Sequence, residues 1–492
     1  MIKGQMYIDG KWVDALSGNT REIINPADQS VIALVAECGR EDAVLAIEAA
    51  RRAFDSSEWP EMTASQRADL LFKLASLIER DKEILARLES LDTGKTVEES
   101  RWDMDDITGI FRYFAGLADK DGGEVIESPV PNSKSIVVRE PVGVCGQISP
   151  WNYPLLQASW KMAPALAAGC TIIMKPSEIT PLTTIKVTEL AIEAGFPKGV
   201  VNTILGAGID AGAELSENNQ VDLISFTGGI ATGKTIMKAA AGNVKKVALE
   251  LGGKNPHIIF DDANFNLAVD YALNGVFFHA GQICSAGARV MVQEGIHDKF
   301  VEALKERMSK IVVGNGFAED TQMGPLISKA HLNKVDEYVA IAKEEGAKLI
   351  LGGKRPTSSD LKDGFFYEPT LFVDCENDMR IVQEEVFGPV ITIEKFKTEE
   401  EVIARANDTI YGLSAGFWTQ NADRMERVSR ALQFGTVWVN DFNVYFVQAP
   451  WGGYKQSGLG RELGKIGLEE YTEVKHIFRN YAPEPFNWFG TK

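Results

Sequence analysis

Apolar and polar positions alternate along this chain in blocks that predict short strands separated by helices. One set of apolar runs lies at residues 142–148, 171–175, 201–205, 223–227 and 247–251. A second set follows at residues 289–292, 348–351, 390–396, 414–418 and 436–439. Short apolar strands that alternate with helices are typical of parallel sheets covered by helices on both faces. The pattern therefore predicts two doubly wound α/β domains.

The segments outside these two sets predict smaller units. Tyr7 to Val13 alternates like an edge hairpin, Arg40 to Phe54 has the period of an amphipathic helix, and residues 63–66 fit a capping box at the start of another. Residues 124–140 indicate a protruding hairpin that pairs with another subunit, or else an ordinary surface loop. The domains that we expect are a first one at 1–122 and 142–253, a second at 254–455, and a β arm at 123–141 and 471–492.

The composition limits the possible functional classes of the protein more than it limits the possible folds. The chain has 492 residues and a formal net charge of −18, which argues against nucleic-acid and acidic-membrane partners. Its five cysteines and five histidines are scattered, so the sequence predicts neither a disulfide framework nor a zinc site. No apolar stretch reaches the roughly 18 residues of a membrane span, and the N-terminus lacks the apolar core of a signal peptide. These features predict a cytoplasmic protein.

Cys284 is the candidate nucleophile around which we interpret the rest of the chain. It follows an apolar helical run that ends at Phe278, and it lies among small residues between Gly281 and Gly287. Small neighbours leave a sulfur open to a substrate, and the thiolate is the form that attacks. A free cysteine taken alone is more often an inert buried side chain. The other motifs of the chain favour the catalytic interpretation.

Residues 228–235 match the Walker A pattern, Gly-x4-Gly-Lys-Thr, after a predicted strand and before a predicted helix. Residues 258–261 resemble a Walker B strand, so a P-loop ATPase is one hypothesis. Backbone N–H groups at a helix N-terminus attract phosphate whichever nucleotide carries it. The motif therefore indicates a phosphate-bearing ligand without choosing between ATP and a dinucleotide. Gly206, Gly208 and Gly212 form an incomplete dinucleotide fingerprint.

Three polar residues at strand ends or inside a strand suggest a reaction at Cys284. Glu178, three residues after Lys175, can accept both hydroxyls of an adenosine ribose and would repel a 2′-phosphate, which favours NAD over NADP. Glu250 lies within an apolar strand, where burial raises the proton affinity of a carboxylate and suits it to act as a general base. Asn152 can donate an N–H to a developing oxyanion, together with the Cys284 N–H.

Six motifs in this order resemble the aldehyde dehydrogenase superfamily over essentially the whole chain. They are residues 150–152, 175–178, 226–229, 250–254, 281–284 and 384–389. The resemblance implies a doubly wound NAD-binding domain, a second α/β catalytic domain and a small β arm for a homodimer or homotetramer. It reduces the ATPase to a remote alternative, because the family uses its strand–turn–helix beneath the pyrophosphate of NAD. A non-catalytic structural role on the same fold is the other alternative.

The resemblance also implies roles for individual residues. Cys284 attacks the aldehyde, Asn152 holds its oxygen, Glu250 activates water, and Lys161 with Glu462 forms a proton relay. The residues implied for NAD binding are Ile148, Ser149, Pro150, Trp151, Lys175, Ser177, Glu178, Gly206, Gly208, Phe226, Thr227, Gly228, Gly229, Thr232, Leu251, Glu385 and Phe387. Carbonyl groups near Ile24, Asp92, Lys455 and Gly458 match potassium sites of relatives.

Within the superfamily the chain is most similar to the betaine aldehyde dehydrogenases, at residues 151–161 and 449–458. This similarity implies oxidation of betaine aldehyde to glycine betaine, an osmoprotectant. The residues implied to wall a tunnel to the sulfur are Tyr153, Trp160, Phe278, Tyr445 and Trp451. Aromatic faces attract a trimethylammonium group without hydrogen bonds. An ω-aminoaldehyde dehydrogenase of broader specificity would have much the same sequence and stays an open alternative.

Overall fold

A computed structural model describes residues 2–120 and 122–490 of the chain. The parts of the expected domains that fall on residues 1, 121, 491 and 492 lie outside the described residues. The helices are α1 (Arg40–Ser56), α2 (Ala64–Arg80), α3 (Lys82–Thr93), α4 (Val97–Leu117), α5 (Pro154–Ala168), α6 (Leu182–Ala194), α7 (Ala213–Glu217), α8 (Ile230–Ala240), α9 (Phe265–Phe277), α10 (His297–Met308), α11 (Lys329–Glu344), α12 (Arg380–Gln383), α13 (Glu399–Asn407), α14 (Ala422–Ala431) and α15 (Gly464–Glu469).

The strands form four sheets. In chain order they are β1 (Ile2–Gly4), β2 (Met6–Ile8), β3 (Lys11–Val13), β4 (Thr20–Ile24), β5 (Val31–Ala36), β6 (Glu124–Ile126), β7 (Ser133–Pro141), β8 (Val144–Ile148), β9 (Thr171–Lys175), β10 (Val201–Thr203), β11 (Leu223–Gly228), β12 (Lys246–Leu251), β13 (Pro256–Ile259), β14 (Arg289–Gln293), β15 (Lys348–Leu351), β16 (Thr370–Val373), β17 (Val390–Phe396), β18 (Ser414–Trp418), β19 (Thr436–Val439), β20 (Gly458–Leu459) and β21 (Thr472–Asn480).

The first large sheet has eight strands in the order β20-β12-β11-β8-β9-β10-β2-β3. Its five central strands are parallel and correspond to the five strands predicted between residues 142 and 251: β12, β11, β8, β9 and β10. The predicted hairpin, β2 with β3, pairs antiparallel at one edge. The strand order reverses between β8 and β11, and such a reversal opens a crevice at the carboxyl ends of the strands.

The second large sheet has seven strands in the order β15-β16-β17-β14-β13-β18-β19. All five strands of the second predicted set are present, and every pair in the sheet except β15 with β16 is parallel. Two buried strands, β13 and β16, were not predicted as members of this sheet. Each has only four residues and is buried along its whole length, so it shows no alternation. The prediction of two α/β units is confirmed.

The predicted hairpin near residue 130 is part of a three-stranded sheet in the order β21-β7-β6. β21 pairs antiparallel with β7 over nine residue pairs, from Thr472 with Pro141 to Asn480 with Ser133. This sheet exposes the large apolar side chains of Val125, Val474 and Phe478. The expected pairing of this arm with another subunit stays a prediction.

Helix α5 places two of the predicted site residues on the first sheet. Tyr153 precedes the helix and Pro154 occupies its first turn, where a missing N–H costs nothing. All residues from Pro154 to Ala167 are buried, so α5 is enclosed between the sheet and helices α2 and α4. Trp160 and Lys161 are neighbours on this helix and project from it in different directions, into different parts of the site.

Two further features limit what the described residues can form. No helix among residues 2–120 and 122–490 is long and apolar enough to cross a membrane. The same residues contain no group of three or more histidine, cysteine, aspartate or glutamate side chains placed to bind a metal ion.

Helix α2 begins after Thr63, and the two side chains at its start cap it reciprocally. The Thr63 side chain accepts from Gln66 N, and the Gln66 side chain accepts from Thr63 N, so the predicted capping box is confirmed.

Candidate active site

Cys284 lies on a loop between α9 and β14, where two cavities meet. The loop leaves the helix through residues 278–281, in which His279, Ala280 and Gly281 all have positive φ angles of 47°, 54° and 76°. Left-handed backbone is costly for residues with a Cβ, so this turn persists only because its surroundings hold it. The turn stops the helix and brings the sulfur to the edge of both cavities.

Three asparagine side chains hold the loop that carries the sulfur. Asn255 Nδ2 donates to the carbonyl oxygens of Cys284 and Ala286, at 2.9 and 3.1 Å. Ser285 Oγ donates to Asn443 Oδ1 at 2.8 Å. The predicted oxyanion donor, Asn152, is buried and donates one N–H to the Gln282 carbonyl oxygen at 2.8 Å. Its amide therefore has a fixed orientation, and a second N–H remains for a ligand.

Two carboxylates act on the protonation of the Cys284 sulfur. Burial, and then the negative charges of Glu385 and Glu250, raise the pKa of the Cys284 thiol to about 12. Burial, and then the carboxylate of Glu462, raise the pKa of Glu250 well above its ordinary value. Both groups line the same cavity. A base with a raised pKa beside a protonated thiol is the arrangement that proton transfer near neutral pH requires.

The predicted relay pair is in contact behind Glu250. Lys161 Nζ donates to Glu462 Oε1, and both side chains are almost fully buried. Trp451 and Glu462 also form a two-way backbone bridge, with N···O distances of 2.7 and 2.8 Å. β20 pairs with β12 beside Glu250, so the chain returns to the first sheet just before it reaches Glu462. The structure thus brings Glu250, Lys161 and Glu462 together.

The crevice between β8 and β11 is a cavity of about 840 Å³. It is lined by these predicted residues: Ile148, Ser149, Pro150, Trp151, Lys175, Ser177, Glu178, Gly208, Phe226, Thr227, Gly228, Gly229 and Thr232. The Ser149 hydroxyl is buried there and has no hydrogen-bond partner in the described part of the chain. Lys175 Nζ lies 3.5 Å from Glu178 and donates to the carbonyl oxygens of Pro176 and Gly206.

Two details of the glycine motifs differ from expectation. Gly206 does not line the cleft, because its Cα faces the backbone of Cys38 and only its carbonyl oxygen turns towards Lys175. The Walker interpretation is wrong: helix α8 begins at Ile230, so Lys234 is an exposed helical residue rather than part of a phosphate loop. Strand β13, the supposed Walker B strand, belongs to the other large sheet.

A second cavity, of about 250 Å³, continues the cleft towards the sulfur. Leu251, Glu385 and Phe387 line it as expected, and Glu385 Oε1 accepts from Gly253 N at 3.0 Å. Burial is the main cause that raises the pKa of Glu385. His331, Lys334 and Gln157 also line this cavity and were not predicted. His331 and Lys334 lie on α11, far from the other motifs in sequence, and carry no local motif that could have identified them. Gln157 lies on α5 within the stretch 151–161 that carries the similarity, and that stretch could have identified it.

A third cavity, of about 340 Å³, reaches the sulfur from the opposite side. It contains all five predicted tunnel residues: Tyr153, Trp160, Phe278, Tyr445 and Trp451. The ring centroids of Trp160, Tyr445 and Trp451 lie 5.4 to 6.3 Å from one another. The Lys95 ammonium lies 4.0 Å from the centroid of Tyr153, so one face of that ring already holds a cation.

Acidic side chains of α4 also line this tunnel, and they were not predicted as site residues. Asp103 is neutralised by Lys95, whose Nζ lies 2.6 Å away. Glu99 and Asp106 have no lysine or arginine within ion-pair distance among residues 2–120 and 122–490. Asp106 Oδ2 accepts instead from the Tyr445 hydroxyl at 2.5 Å. Glu99 accepts from Thr96 N and Thr96 Oγ1, both at 2.8 Å, and from His279 N at 2.7 Å. Burial is the main cause that raises the pKa of Asp106. The tunnel therefore combines aromatic faces with hydrogen-bonded carboxyl groups.

Of the four residues predicted for potassium, Lys455 and Gly458 lie three residues apart on one segment, whereas Ile24 and Asp92 lie on other elements. Ile24 ends β4 in a small three-stranded sheet, whereas Gly458 begins β20 at the edge of the eight-stranded sheet. Asp92 is buried and accepts from Leu182 N at 2.9 Å. The Lys455 ammonium donates to the Asn407 carbonyl oxygen. These potassium positions stay a prediction.

Comparison of this chain with known proteins identifies its family. Residues 12–477 match the model of the aldehyde dehydrogenase family. The chain belongs to the aldehyde dehydrogenase family. This family member is 64% identical to the betaine aldehyde dehydrogenase of Bacillus subtilis, over 99% of each chain. It is 44% identical to the peroxisomal aminoaldehyde dehydrogenase 1 of Pisum sativum, over 99% of this chain and 97% of the relative.

A solved structure supports the same assignment of the fold. The crystal structure of betaine aldehyde dehydrogenase from Staphylococcus aureus in complex with NAD⁺ superposes with a TM-score of 0.98. The two chains are 61% identical, and the match covers 99% of this chain and 97% of the other. The expected family and fold class are thereby confirmed, and the ATPase and structural alternatives lose their support.

Proposed function

We propose that this chain oxidises betaine aldehyde to glycine betaine with NAD, through a covalent adduct on Cys284. The observation that carries the proposal is the tunnel beside the sulfur, where aromatic faces meet the carboxyl groups of Glu99 and Asp106. A trimethylammonium group has no N–H to donate, so ring faces and Coulomb attraction are its means of recognition. The name of the 64% identical relative supports the same substrate.

NAD fits the residues that line the long cleft. Lys175 and Glu178 offer a cation and a carboxylate where the hydroxyls of an adenosine ribose can bind, and Glu178 disfavours a 2′-phosphate. The N-terminus of α8, at Gly229, offers backbone N–H groups to a pyrophosphate. The unpartnered Ser149 hydroxyl suits a polar ligand in the same cleft. The NAD⁺ complex of the Staphylococcus aureus relative supports this choice of dinucleotide.

The reaction begins when Cys284 Sγ forms a bond with the aldehyde carbon. The thiol proton leaves to Glu250, and Asn152 with the Cys284 N–H donates to the substrate oxygen as it gains negative charge. When bound, NAD accepts the hydride that leaves this carbon, so that the adduct becomes a thioester. Glu250 must give up its proton before it can act again. Glu462 and Lys161 lie behind it as the path for that proton.

The second half of the reaction consumes water. Glu250 takes a proton from a water molecule, whose oxygen forms a bond with the thioester carbon. The C–S bond then breaks, the Cys284 sulfur takes that proton back from Glu250 to become a thiol again, and the carboxylic acid leaves. The raised pKa of Glu250 makes the carboxylate a stronger base than an ordinary glutamate, which this step requires.

A second candidate function is the oxidation of ω-aminoaldehydes. Asp106 accepts a hydrogen bond at the tunnel and could accept one from a primary ammonium group, which a trimethylammonium group cannot donate. The Pisum sativum relative, at 44% identity, carries the name of an aminoaldehyde dehydrogenase. The two candidates differ in what the tunnel must supply: ring faces for betaine aldehyde, and hydrogen-bond acceptors for the aminoaldehyde.

The test is a comparison of kcat/KM for three aldehydes with NAD, followed by NADH absorbance. Betaine aldehyde, its neutral isostere 3,3-dimethylbutanal and 3-aminopropanal separate charge, shape and hydrogen bonding. We expect betaine aldehyde to exceed the neutral isostere by at least about tenfold, the effect of roughly 1.4 kcal/mol. Equal values for these two would refute recognition of the quaternary ammonium, and a preference for 3-aminopropanal would establish the second candidate.

Further parts of the proposal concern assembly, domains and location. The domain at residues 1–122 and 142–253 is proposed to bind NAD, and the domain at 254–455 to hold the thiol. The arm at 123–141 and 471–492 is proposed to join the subunits of a homodimer or homotetramer. The exposed apolar side chains of β6 and β21 support a role of the arm in assembly. We also propose that the enzyme is cytoplasmic, which cell fractionation tests. Potassium is proposed as a further ligand, and activity measured with and without K⁺ tests it.

A further inference from the structure

Gln282 is fully buried two residues before Cys284, and its side-chain amide is hydrogen-bonded only to backbone groups. Gln282 Nε2 donates to the carbonyl oxygens of His279, at 3.0 Å, and of Pro325, at 3.4 Å. Gln282 Oε1 accepts from Ile327 N at 2.9 Å. The side chain lines neither of the two cavities that reach the sulfur. It can therefore influence the reaction only through the backbone that it holds.

These hydrogen bonds close the left-handed turn before the thiol. Gln282 donates twice to the His279 carbonyl oxygen, from its side chain at 3.0 Å and from its backbone N–H at 3.1 Å. Residues 279–281 all have positive φ angles, a conformation that persists only where the surroundings hold it. The side chain ties this turn to residues 325–327, which are themselves bonded to the Phe365 carbonyl oxygen at 3.0 Å. The turn is thereby fixed to a part of the chain that is distant in sequence.

The main chain of Gln282 also supports the proposed oxyanion donors. Its carbonyl oxygen accepts from Asn152 Nδ2 at 2.8 Å. One hydrogen bond from a planar amide restrains its rotation and so orients the second N–H, which is the one left for a substrate oxygen. The other proposed donor, the Cys284 N–H, lies two residues further along the same backbone. The positions of both donors therefore depend on where the main chain of Gln282 is held.

We propose that Gln282 is a positioning residue for the two oxyanion donors. Its side chain fixes the backbone to which Asn152 is bonded, so that both donors are in place before an aldehyde arrives. This inference rests on the proposed function, because the oxyanion arises when Cys284 adds to an aldehyde, but it holds for any aldehyde that the thiol attacks. A displacement of about 1 Å in such a group lowers a rate by up to about a hundredfold.

The experiment is a double-mutant cycle on the single-turnover rate of NADH formation, with NAD and aldehyde both saturating. Asn152→Ala removes a donor and should lower this rate at least about a hundredfold. Gln282→Met keeps the length of the side chain without its amide, and should lower the rate about tenfold. In the Asn152→Ala background the same change should cost about threefold or less, because the group that it positions is gone. An equal loss in both backgrounds would overturn the inference.

Two readouts separate this positioning from damage to the whole site. The Kd of Gln282→Met for NAD, measured by titration calorimetry without aldehyde, should stay within about twofold, because the side chain does not line the cleft. The rate of Cys284 alkylation by iodoacetamide should also stay within about twofold, because Asn255 holds the thiol loop separately. If either fell by as much as the single-turnover rate, Gln282 would support the fold of the site rather than the oxyanion donors.

Asn202→Leu is the matched control variant. Asn202 is likewise buried, and its amide bonds to the backbone at Asp9, Ile172 and Gly199, but it lies on β10 and lines none of the three cavities of the site. Its single-turnover rate should stay within about twofold, and a tenfold fall would show that the loss of any buried amide suffices. Gln282→Asn, a shorter amide, takes the place of Gln282→Met in the cycle if that variant does not fold.

The cycle is run with propanal and with betaine aldehyde, so that the two levels of the proposal fail separately. Because both aldehydes form an oxyanion, we expect the same fold losses for each. If the unmodified chain formed NADH with propanal and none with betaine aldehyde, the proposed function would fail while the role of Gln282 was still measured. Losses confined to one aldehyde would assign Gln282 to substrate selection and overturn the inference.

Discussion

Trp451 provides the sharpest test of how the tunnel recognises a cation. Its side chain is only 7% exposed and packs with Trp160 and Tyr445, at centroid distances of 6.0 and 6.3 Å. A cation on a desolvated aromatic face gains about 1–2 kcal/mol, whereas an exposed one gains about half of that. Trp451→Leu keeps apolar bulk and removes the ring face. We therefore expect kcat/KM for betaine aldehyde to fall about 5- to 30-fold.

The assay must separate this loss from damage to the relay, because the Trp451 backbone is bonded to Glu462. The neutral isostere 3,3-dimethylbutanal has the same shape without the charge, so the ratio of the two kcat/KM values isolates the cation. Trp438→Leu is the matched control: Trp438 is equally buried and packs on Trp451 at 6.2 Å, but it does not line the tunnel. If Trp451→Leu lowered both substrates equally, the rings would be packing only.

Three further predictions follow from the site. Glu250→Gln should slow both the burst of NADH and the steady-state rate at least about a hundredfold, because first the thiol and then the water lose their proton acceptor; a rapid-mixing absorbance trace shows both phases, and an unchanged burst would confine Glu250 to hydrolysis. The alkylation rate of Cys284 without NAD should still rise about tenfold per pH unit at pH 9–10, since the raised pKa keeps the thiol protonated there; a plateau near pH 9 would contradict it. Lys234→Ala should leave the Kd for NAD within about twofold, because Lys234 is exposed on α8; a large loss would restore a phosphate-binding role.

The sequence predicted the strands well where apolar runs were bounded by polar turns. β9, β15, β17, β18 and β19 begin and end at the predicted residues. β13 and β16 escaped because four buried residues have no periodicity to read. The Walker A pattern predicted a phosphate loop wrongly for a related reason. The residue types at 228–235 match the pattern, but helix α8 already begins at residue 230, and a sequence pattern does not encode where a helix starts.

The chemistry of the site was predictable where a motif was local, and unpredictable where residues meet only in the fold. Cys284, Glu250 and Asn152 each lie in a distinctive run of neighbours, and the structure places all three in one cavity. His331 and Asp106 lie on ordinary amphipathic helices, where a polar residue on one face is expected in any case. Their contribution comes from packing between helices and loops distant in sequence, which no single segment reveals.

The two-way bridge between residues 451 and 462 joins the choice of aldehyde to the release of protons. A lineage that drifts towards other aldehydes can exchange the ring at position 451 only for side chains that leave the backbone beside Glu462 in place, because turnover of every substrate falls once that backbone moves. Tyr153 and Tyr445 face the same tunnel without that bond. Diversification of substrate range should therefore accumulate at those two positions, leaving position 451 comparatively constant among active descendants.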